Sequence, residues 1–334
     1  MTEVKKVRIV RFHETGAADV LKIDELPIPE PGEGEVRLRV KAIGLNRAEV
    51  MFRMGQYLVD PVLPSKLGYE AAGTVEAVGA GVDESWVGKE VSTTPAFAAN
   101  AYGVYGEVAI VPILAVAEYP KRLSPEEGTS IWMQYLTAYG ALIVQGKIQA
   151  GEHVLITAAS SSVGVAAIEM VKAEGAISIA TTRTSKKKAE LLALGADYVI
   201  ATEEEDLVAR VMEITGGKGV RISFDPIGGK LLNLLAAVAA PLGIIFEYGA
   251  LATEATPFPL FAALAKHLTV KGYTVFEIIS VPAVYEEAKK YVFNHIEKGN
   301  FKPRIDKIFP FNEIVEAHRY MEAGTQIGKI VVTV

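Results

Sequence analysis

"TAASSSVGVAAIEMVKAEGA", residues Thr157 to Ala176, decides the fold. It follows the apolar run "HVLI" and continues into helical spacing, so it reads as strand, tight turn and helix. A helix start of this kind holds pyrophosphate because unpaired backbone N–H groups and the positive dipole end face the anion, and small residues let the backbone come close. Every residue from Ala158 to Ser162 is small. The candidate phosphate contacts are Ser160, Ser161, Ser162, Val163 and Gly164, with Gly164 where the helix would pack on the strand. Serine in place of glycine at 161 and 162 requires ordinary backbone angles there.

Downstream of this turn, strand-like and helix-like runs keep alternating through "ISIATT", "SKKKAELLAL", "DYVI", "LVARVMEI", "VRISFD", "LLNLLAAVA" and "GIIFEYG". Repeated strand–helix units of this length build a parallel, doubly wound sheet with right-handed crossovers. Upstream, from Lys6 to about Pro112, short alternating runs are broken by Gly and Pro, which predicts a β-rich domain of mainly antiparallel strands. The texture changes at Ser124, where an N-cap serine, a proline and two acids open a helix. The last sixty residues add a helix, "VPAVYEEAKKYVFNHIEKG", and a closing strand, "KIVVTV", and look like a return to the first domain.

The chain has 334 residues, a natural size for two domains. Half of them are hydrophobic and the net charge is -6, a composition for an ordered globular protein with no electrostatic footprint for nucleic acid or an anionic membrane. Small molecules are the expected partners. No cysteine is present, which excludes disulfides and thiolate metal ligands, and the five histidines are widely dispersed. No run of about 18 apolar residues occurs, and the expected compartment is the cytoplasm.

Cofactor choice is read after the second strand of the nucleotide-binding unit. An NAD site places an acid there for the ribose 2′-OH, whereas NADP needs cations for the 2′-phosphate. The stretch "IATTRTSKKKAE" has no acid between Ser178 and Lys188 and carries Arg183 at the strand end, then three lysines. Arg183 is the favoured partner because a guanidinium both stacks on adenine and pairs with phosphate. Lys187 is a second candidate, and at least one of the lysines belongs to a solvated helix face. The expected cofactor is NADPH.

These features, together with "PEPGEGEVRLRVKAIGLNRAEVMFRMGQY", "LPSKLGYEAAGTVEAVGAGV", "WMQYLTAYGAL", "FDPIGG" and "GKIVV", resemble over nearly the full length the zinc-independent branch of the medium-chain dehydrogenase/reductase superfamily, the quinone oxidoreductase or zeta-crystallin-like proteins. The resemblance implies an α/β fold with a GroES-like β-rich catalytic domain formed by residues 1–124 and 275–334, and a Rossmann NADP-binding domain at 125–274. It implies a homodimer joined through a sheet edge, for which "GIIFEYGAL" and "LTVKGYTVF" are candidates. Zinc-dependent members carry a cysteine in the segment matching "GLNRAE" and a histidine before the glutamate of "GYEAAG". Asn46 and Tyr69 stand there, so no metal site is expected. The resemblance also places Asn46, Tyr135 and Thr137 around the nicotinamide or substrate, and Gly249, Ala250, Leu251 and Lys329 in cofactor-contacting segments.

Without a Lewis acid, hydride transfer is best matched to acceptors that delocalise the incoming charge, namely quinones and α,β-unsaturated carbonyls. Asn46 and Tyr57 are the candidate catalytic residues, as donors near the oxygen that gains charge. In related enoyl-thioester reductases the proposed proton donor is a tyrosine matching Tyr57. Enoyl-thioester reduction, a zinc-free alcohol dehydrogenase and a non-catalytic NADPH-binding protein of the crystallin or sensor kind are the competing readings.

Overall fold

The computed structural model describes residues 5–334. Two compact units divide it: the chain up to Met133 together with Pro303–Val334, and the segment Gln134–Lys302.

In the first unit, "EVRLRVKAIG" shows how the sequence makes its strands. Val36, Leu38, Val40 and Ala42 are buried on one face of Glu35–Gly44, while Arg39 and Lys41 reach outward to Glu76 and Glu90 at 2.7 and 2.8 Å. This strand is central to a seven-stranded sheet, pairing with Glu70–Val78, Val108–Pro112 and Lys329–Thr333. All its pairings are antiparallel except that of Ile305–Pro310 with Lys329–Thr333. A three-stranded sheet, ordered Leu21–Pro27, Lys6–Phe12 and Ser65–Lys66, completes the expected β-rich unit.

The second unit holds six strands in the order Tyr198–Ala201, Ile177–Thr182, His153–Ile156, Val220–Asp225, Ala239–Glu247 and Thr269–Gly272, all parallel. This is the Rossmann order, with its switch point at the end of His153–Ile156. Leu155, Ile179, Ile200 and Ile245 are fully buried in one cluster with Leu235 and Val238 of the helix Leu231–Val238, which is why these strands read as near-continuous apolar runs.

The unit boundaries fall at 133/134 and 302/303 rather than at 124/125 and 274/275. The helix at Ser124 opens as expected, with Pro125 at its start and a capping box between Ser124 and Glu127, but spans only Pro125–Gly128; a second helix, Trp132–Tyr139, continues into the other unit. At the far end, Pro282–Glu297 belongs to the Rossmann unit. Its Tyr291 packs on Tyr139 at 4.9 Å and bonds Glu174, and its His295 stacks on Phe301, which in turn stacks on Tyr135 at 4.8 Å. Among the described residues no helix is long and apolar enough to cross a membrane.

Candidate functional site

The turn Thr157–Ser161 joins His153–Ile156 to the helix Ser162–Ala173. Ser161 is the N-cap, at φ -69 and ψ 161, and its Oγ accepts from Gly164 N at 3.1 Å. Its backbone is ordinary, as the serine required. The left-handed residue of the turn is instead Ala158, at φ 45, a conformation that costs an L-residue about 1–2 kcal/mol. Gly164 is fixed by close approach to the turn's own backbone rather than to the strand: a Cβ there would stand 2.6 Å from Ala159 Cα and O. The amides of Ser162 and Val163 head the helix, with no earlier turn to bond to.

Next to this turn, the loop after Ile177–Thr182 brings Lys187 Nζ to Ser160 Oγ at 3.1 Å. Arg183 and Lys186 are exposed, and Lys188 pairs with Glu205 at 3.0 Å. The lysine run thus splits into one solvated side chain, one structural ion pair and one cation directed at the phosphate turn. Beside it lies a cavity of about 320 Å³, lined by Thr181, Thr202, Asp206, Ile227 and Leu231 among others. Thr202 escapes a sequence reading because it follows the neighbouring strand, twenty residues from Thr182, and comes beside it only through parallel pairing.

Two acids meet at the ends of the next strands. Asp225 accepts from Thr157 Oγ1 and, at 2.7 Å, from Gly228 N. Glu247 is its partner in the ladder, with both carboxyl oxygens buried and the Asp225 carboxylate as their polar neighbour. Burial first, and then the charge of Asp225, push the Glu247 pKa up and favour the neutral acid. Gly249, Ala250 and Leu251 follow, all exposed. Tyr135 is fully buried, with its hydroxyl 2.5 Å from Glu169 Oε2, so its side chain is engaged inside the unit; Thr137, two residues on, is also buried.

The first unit carries a separate polar cluster. Asn46 heads the helix Arg47–Arg53, and its N–H donates to Glu49 Oε2 at 2.8 Å. Its Nδ2 lies 3.1 Å from Glu70 Oε2 and 3.2 Å from Glu49 Oε1, while its Oδ1 accepts from Lys329 Nζ at 2.6 Å. Lys329 also bonds Glu70 directly, and Glu70 Oε1 accepts from Met133 N at 2.8 Å. Lys329 and Glu70 are both fully buried, and Gly44 leaves them room, since a Cβ there would stand 2.8 Å from Lys329 Cε. Glu49 further accepts from Tyr69 N and from Tyr105 Oη, at 2.9 and 2.5 Å. Burial raises its pKa.

Tyr57 lies beyond the helix, half-buried, and its phenol pKa is pushed up to about 12 by burial and then by the Glu49 charge. Tyr69, raised further by burial and by Tyr57 itself, stacks on Phe97 at 5.4 Å. The exposed Leu58, Val59, Val62 and Leu63 follow Tyr57 in the same loop. The structure therefore gathers Asn46 and Lys329 in one network, keeps Tyr57 nearby and uncommitted, and places the serines, Gly164 and Lys187 together in the other unit. Glu49 and Tyr105, unremarked in the sequence, hold the first cluster.

Among the described residues no three His, Cys, Asp or Glu side chains come together to hold a metal. The position of a catalytic zinc does not fit the residues present: Asn46 and Tyr69 replace two ligands, and the Lys329 ammonium already neutralises Glu70.

Residues 32–121 match the alcohol dehydrogenase GroES-like domain family, and residues 162–294 the zinc-binding dehydrogenase family. The chain is 32% identical to quinone oxidoreductase 1 of Escherichia coli (strain K12), covering 96% of this chain and 97% of that one. It is 30% identical to the 2-haloacrylate reductase of a Burkholderia species, over 96% and 97%. The solved E. coli quinone oxidoreductase complexed with NADPH superposes with a TM-score of 0.91 at 30% identity, covering 98% of this chain and 100% of that one. A solved NAD-dependent alcohol dehydrogenase does so with 0.90 at 30% identity, over 98% and 99%.

Proposed function

We propose, on the premise that this chain belongs to the quinone oxidoreductase branch of the medium-chain dehydrogenase/reductase superfamily, that it is a cytoplasmic, homodimeric, zinc-independent NADPH-dependent reductase of quinones and α,β-unsaturated carbonyls. The observation that carries the cofactor half is the contact between Lys187 and Ser160, which ties a cationic loop to a close-packed helix start at the switch point of a Rossmann sheet. The fit is that of a dinucleotide: Ser160, Ser161 and the amides of Ser162 and Val163 would hold pyrophosphate, Arg183 and Lys187 the 2′-phosphate, and the cavity at Thr181, Thr202 and Ile227 the adenine.

NADPH, when bound, supplies the hydride. The protein's own part is to hold a proton and exclude water. Tyr57 keeps its proton at Oη throughout the physiological range and donates it to the substrate atom left basic by reduction. Asn46 is a positioning residue: with Lys329, Glu70 and Glu49 around it, its amide is fixed in place. The apolar side chains after Tyr57 favour substrates with an apolar body, so enoyl thioesters stand as the second reading, and the 2-haloacrylate relative supports the conjugated-acid class.

The test is oxidation of NADPH by metal-stripped enzyme in the presence of 1,4-benzoquinone, an alkenal or crotonyl thioester, followed by nicotinamide absorbance. Turnover is expected with at least one acceptor. Tight NADPH binding with no turnover on a broad panel overturns the enzyme reading in favour of a non-catalytic binding protein.

A further inference from the structure

The structure assigns to Glu204 a role in cofactor choice: we infer that its carboxylate is an internal anion seated on the donors that would receive a 2′-phosphate, and that it holds down affinity for phosphorylated nucleotide. The inference rests on the reading of this unit as a nicotinamide dinucleotide site. Past the paired strands Ile177–Thr182 and Tyr198–Ala201 the ladder continues for two further bonds, Thr202 N to Thr182 O and Glu203 N to Arg183 O, both 2.9 Å. The two loops therefore run side by side. This brings Glu204 Oε1 to 2.9 Å from Ser185 N and 3.2 Å from Ser185 Oγ. Arg183 and Lys187 flank that serine in sequence, and Lys187 reaches the phosphate turn.

The other acids of "EEED" have different work. Glu205 pairs with Lys188 and Arg210 and accepts from Ala201 N, and Asp206 caps the helix Leu207–Ile214 through Ala209 N. Glu203 is exposed and follows the loop backbone. Only Glu204 uses its carboxylate on Ser185. An N–H and an O–H converging on one oxygen, in a loop that carries Arg183 and Lys187 on either side in sequence, form an anion-accepting set. A 2′-phosphate arriving there must displace Glu204 and then lie beside a like charge, whereas a free 2′-OH meets neither cost. Glu204 thereby narrows the gap between NADPH and NADH that the cations would otherwise open.

The experiment measures dissociation constants of wild type, Glu204→Gln and Glu203→Gln for NADPH, NADH, 2′-AMP and 5′-AMP at low and high salt. Glutamine keeps an acceptor for Ser185 and removes the charge. Glu204→Gln is expected to tighten NADPH and 2′-AMP about tenfold, less at high salt, with NADH and 5′-AMP unchanged, which also reports intact folding. Glu203→Gln, the same charge change without the contact, is expected to gain less than about twofold. An unchanged or weakened NADPH affinity in Glu204→Gln, or equal gains in both variants, overturns the inference while leaving the dinucleotide site standing. Wild type that binds neither dinucleotide overturns the site reading and this inference with it.

Discussion

Tyr57 and Asn46 look equivalent in the sequence, two donors in one loop region, and the structure separates them. The amide of Asn46 is consumed: its oxygen takes the Lys329 ammonium and its nitrogen faces two buried carboxylates. Tyr57 has a half-buried phenol with a pKa pushed up to about 12 and no such engagement. Tyr57→Phe is therefore expected to lower kcat on the preferred acceptor about a hundredfold while leaving the NADPH dissociation constant unchanged. Activity between pH 6 and 9 is expected to show no limb belonging to Tyr57, because the group stays protonated there. An unaltered kcat removes it from proton transfer. The difference between the two residues was not legible in the sequence because Lys329 lies 283 positions from Asn46, and only the pairing of Lys329–Thr333 with Glu35–Gly44 brings them together. The same holds for Glu204: the loop after the second strand carries no acid of its own, and the carboxylate on Ser185 arrives from the neighbouring strand.

At the scale of elements, the parallel strands were legible because strands buried on both faces read as apolar runs, and the helix start at Ser124 because its cap is local. What was not legible was where Pro282–Glu297 packs. Its polar and apolar residues announce a surface helix, and only the stacking of Tyr135, Phe301 and His295 assigns it to the Rossmann unit. Glu169, in the middle of the helix Ser162–Ala173, gathers the same region: it accepts from Tyr135 Oη at 2.5 Å and from Lys302 N at 3.2 Å. Burial, outweighing these bonds, pushes its pKa up to about 7. A carboxyl whose folded pKa is raised contributes stability that is complete below the unfolded value, near 4.5, and lost as pH rises through about 7. The full difference is on the order of 3 kcal/mol. Glu169→Gln keeps an acceptor for Tyr135 and cannot ionise. Its stability by chemical denaturation is expected to gain on wild type as pH rises from about 4.5 to about 7 and to level off above that; a constant difference across that rise means Glu169 does not titrate there.

For the whole molecule, the open question with a physical handle is self-association. Of the two segments the sequence offered as a pairing edge, Ala239–Glu247 is interior, bonded on both sides, and Thr269–Gly272 is the true edge of the six-stranded sheet. A bare edge strand invites another strand unless it is covered. The helix Leu260–Lys266 just before it carries Leu260, Phe261 and Leu264 exposed, with Phe261 85% accessible, and Phe258 and Leu242 are exposed as well. Single exposed apolar residues are ordinary, but this many within one stretch beside an unpaired edge describe a surface that a second copy would cover. Light scattering after size exclusion is expected to give twice the chain mass. Phe261→Asp, which adds a charge at an accessible position and disturbs no buried contact, is expected to shift the population toward monomer with an unchanged circular dichroism spectrum. A wild type that stays monomeric at high concentration refutes the dimer, and a dimer indifferent to Phe261→Asp moves the interface away from this helix, leaving the backbone edge of Thr269–Gly272 to be tested by itself.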